Sequence, residues 1–187
     1  MKGFLITLGV LGLLGFMIFG SLVGTYNSLN QQDEKINQAF AQVDNQLKRR
    51  ADLIPNLVAV TKGYAAHEQA VFKGIADARA AMGGAKTNKE KMAAGNEMTS
   101  ALSRLLLVVE NYPNLKADKQ FIQLSDELAG TENRLAVARM DYNKQVEVLN
   151  KQIRTFPTNI IAGMFNIEKR EYFETPEADK ATPKVEF

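Results

Sequence analysis

Residues 121–156 read FIQLSDELAGTENRLAVARMDYNKQVEVLNKQIRTF, and within them Phe121, Leu128, Leu135, Tyr142, Leu149 and Phe156 recur at intervals of seven. A strict seven-residue apolar repeat lays one stripe along an α-helix, and a repeat this long predicts left-handed packing against neighbouring helices. No stretch of the chain shows the two-residue alternation of a half-buried strand. The expectation is an all-α fold built around one long helix.

Working outward toward the N-terminus, the same period returns in shorter runs. Met98, Leu105 and Tyr112, flanked by Leu102 and Val109, form a stripe that Pro113 ends. Thr87 and Glu90 precede it with the spacing of a capping box, in which each side chain satisfies a backbone N–H of the other's turn. Leu57, Tyr64, Val71 and Ala78, flanked by Val60, Ile75 and Met82, predict a further helix that stops at Gly83 and Gly84. Before it, Leu29, Ile36 and Val43, edged by Phe40 and Leu47, predict the first amphipathic helix. Lys48, Arg49 and Arg50 are suitable charges for a last helical turn, and Asp52 and Pro55 follow. A tight reversal near Ala51 is expected, with a proline kink in one long helix as the alternative. Short connections favour antiparallel neighbours, so residues 26–157 are expected to form an elongated antiparallel four-helix bundle with long heptad-patterned helices.

Beyond Phe156-Pro157, the apolar run from Asn159 to Phe165 is too short to span a membrane. Residues 158–187 are therefore read as a short helix and an irregular tail. Tyr172, Phe173, Val185 and Phe187 are expected to dock on the bundle, with lipid or a partner protein as alternatives.

At the other end, Gly3 to Val23 carries no charged residue and is rich in Leu, Ile, Phe, Val and Gly. At 1.5 Å per residue about 21 residues cover roughly 30 Å, the hydrocarbon thickness of a bilayer. A cleavable signal peptide has a shorter apolar region, ~7–15 residues, and a small-x-small cleavage site that is not apparent around Ser21, Val23 and Gly24. Residues 1–25 are read as a transmembrane anchor contacting lipid through residues 3–23. Lys2 and the amino terminus on one side oppose Lys35 on the other, a slight charge bias toward an extracytoplasmic domain. Gly9, Gly12 and Gly15, with the pair Gly20 and Gly24, offer small faces for anchor pairing, although glycine is common in membrane helices in any case. No proline or long linker separates this run from the first amphipathic helix, so the anchor is expected to feed directly into it.

Composition bounds the chemistry. The 187 residues hold no Cys, no Trp and one His, with a formal net charge of +2. That excludes disulfides, thiolate metal sites, thiol catalysis and a lipid-modified cysteine. It also gives no basic footprint for nucleic acid. His67 falls beside the apolar seam of the expected second helix and is read as a neutral histidine of the bundle. A zinc-binding HExxH needs a second His, and a di-metal bundle needs inward Glu-x-x-His pairs; neither pattern is present. Gly-rich phosphate loops and nucleophile motifs are absent too. No catalytic residue, cofactor or metal is therefore assigned, and a hydrolase built from His67, Glu132, Arg139 and Asp141 is the remaining enzymatic alternative. Polar residues do border the seams: Glu132 and Arg139 are seven apart beside the Leu128, Leu135, Tyr142 stripe. Buried ion pairs add little net stability but can fix register, so these residues, with Arg49, Arg50 and Asp52, are read as helix clamps before partner contacts.

The runs Lys48-Arg49-Arg50-Ala51-Asp52-Leu53-Ile54-Pro55-Asn56-Leu57-Val58, Glu110-Asn111-Tyr112-Pro113-Asn114-Leu115-Lys116-Ala117 and Glu127-Leu128-Ala129-Gly130-Thr131-Glu132-Asn133 carry a specific resemblance. Together with Ala138-Arg139, Tyr142-Asn143 and Phe156-Pro157, they resemble the LemA family of bacterial membrane proteins across nearly the whole chain. One departure is Phe40, where the family pattern carries Trp; the position stays aromatic. The resemblance implies a single N-terminal span, a mainly helical domain and a place in the bacterial cell membrane. It supplies no reaction, and points only to membrane organisation and to membrane-bound metalloproteases. The candidate structural or partner-contact residues are Arg49, Arg50, Asp52, Pro55, Asn56, Glu132, Asn133, Arg139, Tyr142 and Asn143. The expected function is a non-enzymatic, membrane-anchored scaffold or self-assembling protein of the cell envelope, homo-oligomeric. The alternative is an adaptor or regulator of an envelope enzyme such as a membrane metalloprotease.

Overall fold

The computed structural model describes residues 2–65 and 67–174, apart from the side chain of residue 2. Among them are α1 (Lys2–Tyr64), α2 (Gln69–Gly84), α3 (Asn88–Val109), α4 (Pro113–Lys116), α5 (Lys119–Gln152) and α6 (Thr158–Met164), and no strand. The fold is all-α.

In α5 the seven-residue stripe is buried throughout: Phe121, Leu128, Leu135, Tyr142 and Leu149 all lie in the interior. Phe156, the last member of the repeat, is exposed because α5 has ended at Gln152. At its start, Asp118 accepts the backbone N–H groups of Gln120 and Phe121 at 2.8 and 3.0 Å, donors that the first turn would otherwise leave unpaired. α3 opens with the expected capping box. Glu90 N–H donates to Thr87 Oγ1 at 3.2 Å, and Thr87 N–H donates to the Glu90 carboxylate at 3.1 Å. α3 stops at Val109, before Pro113, which serves as the first residue of α4, where its missing N–H costs nothing.

The expected reversal near Ala51 does not occur. α1 runs through Pro55 and ends at Tyr64, so the chain turns back after residue 64 and the second helix begins at Gln69, not before Leu57. The reason lies in the buried positions of α1: Val43, Leu47, Arg50, Ile54, Leu57 and Thr61 follow one another at alternating steps of four and three. That is an unbroken helical stripe in which two members are polar. Pro55 removes one backbone bond, but it is exposed and opposite the stripe, and Ile54 and Leu57 beside it are buried at about 1.5–3 kcal/mol per side chain. His67 consequently lies in the exposed turn between α1 and α2, not on a bundle helix.

The chain forms two compact units. One comprises the residues up to Ala39 with Asn143–Glu171. In it, Leu29 and Ile36 of α1, Val146 and Leu149 of α5, and Ile161 and Ala162 of α6 are buried. Gln32, itself buried, donates to the Gln145 carbonyl at 2.9 Å and to its side-chain oxygen at 3.1 Å. Every residue from Gly3 to Ser21 is exposed, and α1 is the one helix among the described residues long and apolar enough to cross a membrane.

The second unit comprises Phe40–Tyr142 with Tyr172–Glu174. Its core joins Ile54 and Leu57 of α1, Phe72 and Ile75 of α2, Leu102 and Leu105 of α3, and Phe121 and Leu128 of α5. Asp44 pairs with Lys91 and Arg50 with Thr99, so α1 and α3 run parallel; Arg50 also meets Glu132 while Tyr64 meets Asp118, so α5 runs antiparallel to α1. That is the up-and-down order expected of helices joined by short turns. Gly95 lets α3 approach α1 closely, since a Cβ there would stand 2.8 Å from Leu47 Cδ2.

Candidate partner-contact site

The segment from Lys48 to Asn56 is helical, so its successive residues point to different sides of α1. Arg50 points inward and is 5% exposed. Its Nη1 forms an ion pair with Glu132 Oε2 on α5 and donates to Thr99 Oγ1 on α3 at 3.2 Å. Thr99 in turn donates to the Gly95 carbonyl at 3.0 Å. Arg139, one heptad beyond Glu132, places Nη1 4.0 Å from the other carboxylate oxygen and its guanidinium 4.3 Å from the centre of the Phe173 ring. One carboxylate thus faces two guanidinia from different helices. Burial pushes the Arg50 pKa down and the Glu132 charge opposes that shift. A guanidinium remains protonated under any ordinary condition, so Arg50 is a permanent buried charge that needs Glu132.

The next residues open on a different surface. Asp52, Pro55 and Val58 of α1 face Phe72, Ile75 and Arg79 of α2 across a groove of about 680 Å³. The space exists because the facing residues are small: Ala51 on one helix, Ala76, Ala80 and Gly83 on the other. Its floor is apolar and its rim charged. Asp44 at one end is paired with Lys91 at 2.7 Å, and Lys62 lies 5.4 Å from the centre of the Phe72 ring. Lys48, Lys62 and Arg79 have no ion-pair partner among the described residues, so cations outnumber Asp52 on this rim.

Two tyrosines fasten the ends of the helices. Tyr64 donates to Asp118 Oδ2 at 2.9 Å and Tyr112 to Glu68 Oε1 at 3.0 Å. Each hydroxyl, bonded to a carboxylate, has its pKa raised. Asp118 has its pKa lowered, first by the N–H of Phe121 and then by Tyr64.

Among the residues singled out in the sequence, Arg50, Glu132 and Arg139 meet in one charged cluster, whereas Asp52 and Pro55 line the groove. Arg49, Asn56 and Asn133 are exposed and join neither. Tyr142 is 2% exposed, its ring edge-on to Phe40 at 5.5 Å. Asn143 is half-buried. Phe173 of the tail is buried, as the docking expectation required, while Tyr172 is exposed and Val185 and Phe187 lie outside the described residues. Sequence reasoning missed Thr99, a small polar residue next to Met98 whose role depends on two other helices. It also missed the groove, whose only sequence signal was the clustering of small residues on α2. Among the described residues, no group of His, Asp and Glu side chains is placed to hold a metal ion.

The family profile described as the LemA family matches residues 39–187. The chain is similar to magnetosome protein MamQ 2 of Paramagnetospirillum magneticum, 26% identical over 94% of this chain and 74% of the relative. It is similar to magnetosome protein MamQ of Magnetospirillum gryphiswaldense, 24% identical over 97% of this chain and 76% of the relative. It is also similar to protein LemA of Metamycoplasma hominis, 24% identical over 95% of this chain and 78% of the relative.

Proposed function

The chain belongs to the LemA family, and from that membership we propose that it is a non-enzymatic scaffold of the bacterial cell envelope, anchored by α1 and receiving a helical segment of a partner protein in the groove between α1 and α2. Membrane association itself follows from the family and the spanning helix. The observation that carries the scaffold reading is the groove: an apolar floor about as long as several helical turns, bordered by more cations than anions. Amphipathic helices dock in such grooves through apolar anchors, and charge on the rim selects the partner. The fitting partner is a helix with an apolar face and acidic edges. The cluster around Glu132 supports this reading by holding α1, α3 and α5 in fixed register behind the groove. Self-association through the membrane would use the small faces that Gly9, Gly12 and Gly15 give the anchor.

A photocrosslinking residue at Asp52, in cells expressing the full chain, tests the proposal. A discrete adduct is expected, and it should disappear when Ala76→Leu and Ala80→Leu fill the groove. Both alanines are exposed, so the filled variant should fold normally. Absence of any adduct, or an adduct unaffected by filling, would count against the groove as the docking site.

A further inference from the structure

α6 buries only Ile161 and Ala162, while the four large apolar side chains around it point outward: Phe156 is 76% exposed, Ile160 54%, Met164 66% and Phe165 50%. Isolated exposed apolar residues are ordinary, but a contiguous apolar patch on so short an element marks a surface that something covers.

Its position says what. The Phe165 ring packs against Tyr26, tilted by 41°, with centroids 4.4 Å apart. Thr158, at the start of α6, shares a shallow notch with Ser21, Gly24 and Thr25 of α1. Those residues are where the uncharged run of the anchor gives way to polar residues, the depth at which aromatic side chains collect in membrane proteins. The patch is therefore continuous with the lipid-facing surface of α1. Lys151 and Arg154, both exposed, precede it and can reach phosphate groups at the same level.

The element is also held in place rather than hanging free. Asn166 adopts a left-handed conformation, with φ of 52°. With it, Ile167 N–H bonds to the Ala162 carbonyl at 2.9 Å and Asn166 N–H to the Gly163 carbonyl, the pattern that closes a helix and turns the chain. Four residues later Arg170 grips Asp33 through two bonds of 2.8 Å. Its backbone N–H and carbonyl both bond to the Asn150 side chain at 2.9 Å. The segment between α5 and Arg170 is thus tied at both ends, with its apolar residues presented outward.

The geometry points to α6, with Phe156 and Phe165, as a second membrane contact that lies in the headgroup and upper acyl region beside the anchor, as interfacial helices do. It follows from anchoring through α1 and is independent of the groove and of any partner.

Because the chain contains no Trp, a single introduced one reports its own surroundings. Full-length Ile160→Trp and Met164→Trp variants, one copy per nanodisc of phosphatidylcholine and phosphatidylglycerol bounded by a tryptophan-free belt protein, should emit at blue-shifted wavelengths and lose about half or more of their emission when the lipids are brominated near the headgroup. Lys144→Trp is the control for the indole's own affinity for the interface: it is exposed on α5, roughly 12 Å along the helix from Gln152, and should emit as in water. Emission from residues 160 and 164 that matches the control and ignores bromine would overturn the assignment. A blue shift that appears only with two or more copies per disc would also overturn it, by showing that a second chain covers the patch.

Discussion

α1 contains two apolar stretches that meet different surroundings. From Gly3 to Ser21 the helix is apolar on every side, and every residue is exposed. From Leu29 to Thr61 it is apolar along one stripe only, and that stripe is buried. The first needs composition, because lipid touches all faces and must meet no unsatisfied polar group. The second needs position, because protein covers only one face. The second also tolerates polar members where each has a partner: Gln32 bonds to Gln145, Arg50 pairs with Glu132, and the Thr61 hydroxyl donates to the Leu57 carbonyl at 2.8 Å. The same residue type therefore carries different weight in the two stretches.

The largest expected effect breaks the comparison at leucine. Leu47→Ala should destabilise the folded domain by about 2–5 kcal/mol, since Leu47 is 1% exposed and packs against Gly95. Leu13→Ala should leave the unfolding midpoint of the full chain in nanodiscs unchanged. Equal losses at both positions would mean that the first stretch is packed in protein after all.

A smaller effect sharpens what a polar member of the stripe requires. Glu132→Ala strands the buried Arg50 guanidinium and should cost about 2–3 kcal/mol, less than a fully buried pair because the Glu132 side chain is 38% exposed. Arg50→Met removes the buried charge and leaves a carboxylate that water can reach, so it should cost under about 1.5 kcal/mol. Chemical denaturation of the two variants decides it: a larger loss for Arg50→Met would show that the pair attracts more than it costs to desolvate.

The smallest effect is one of pH. Asp118 has a lowered pKa in the folded protein, so it binds its proton more readily when unfolded. Its contribution is present above the ordinary carboxylate range and is lost as pH falls through the folded value. The stability advantage of the native chain over Asp118→Asn should therefore shrink on acidification below about pH 4. An advantage that stays constant down to the acid limit would remove the charge from this cap.

The helical class, the anchor and the course of α5 could be read directly because their signals are carried by apolar residues alone. The continuation of α1 through Pro55 was legible only as the alternative to a reversal near Ala51. Its stripe passes through Arg50 and Thr61, which break an apolar pattern, and Pro55 adds a local stop signal that burial of Ile54 and Leu57 overrides. The break after Tyr64 has no proline at all, so the heptad of Leu57, Tyr64 and Val71 spans a turn and means nothing across it. At the site, Arg50, Glu132 and Arg139 stood out as charges beside apolar seams. Their meeting, however, depends on the register of α1 against α5, which no local pattern encodes. The groove was hidden for the opposite reason: it is made by what Ala76, Ala80 and Gly83 lack.

A chain that works by holding other chains should not leave its membrane alone, and the mass of the full-length protein extracted in mild detergent shows whether it does. The expected result is a protein mass above the 20.7 kDa of one chain, with a discrete partner that is lost when Ala76→Leu and Ala80→Leu fill the groove. A single 20.7 kDa species with nothing co-purifying would contradict it.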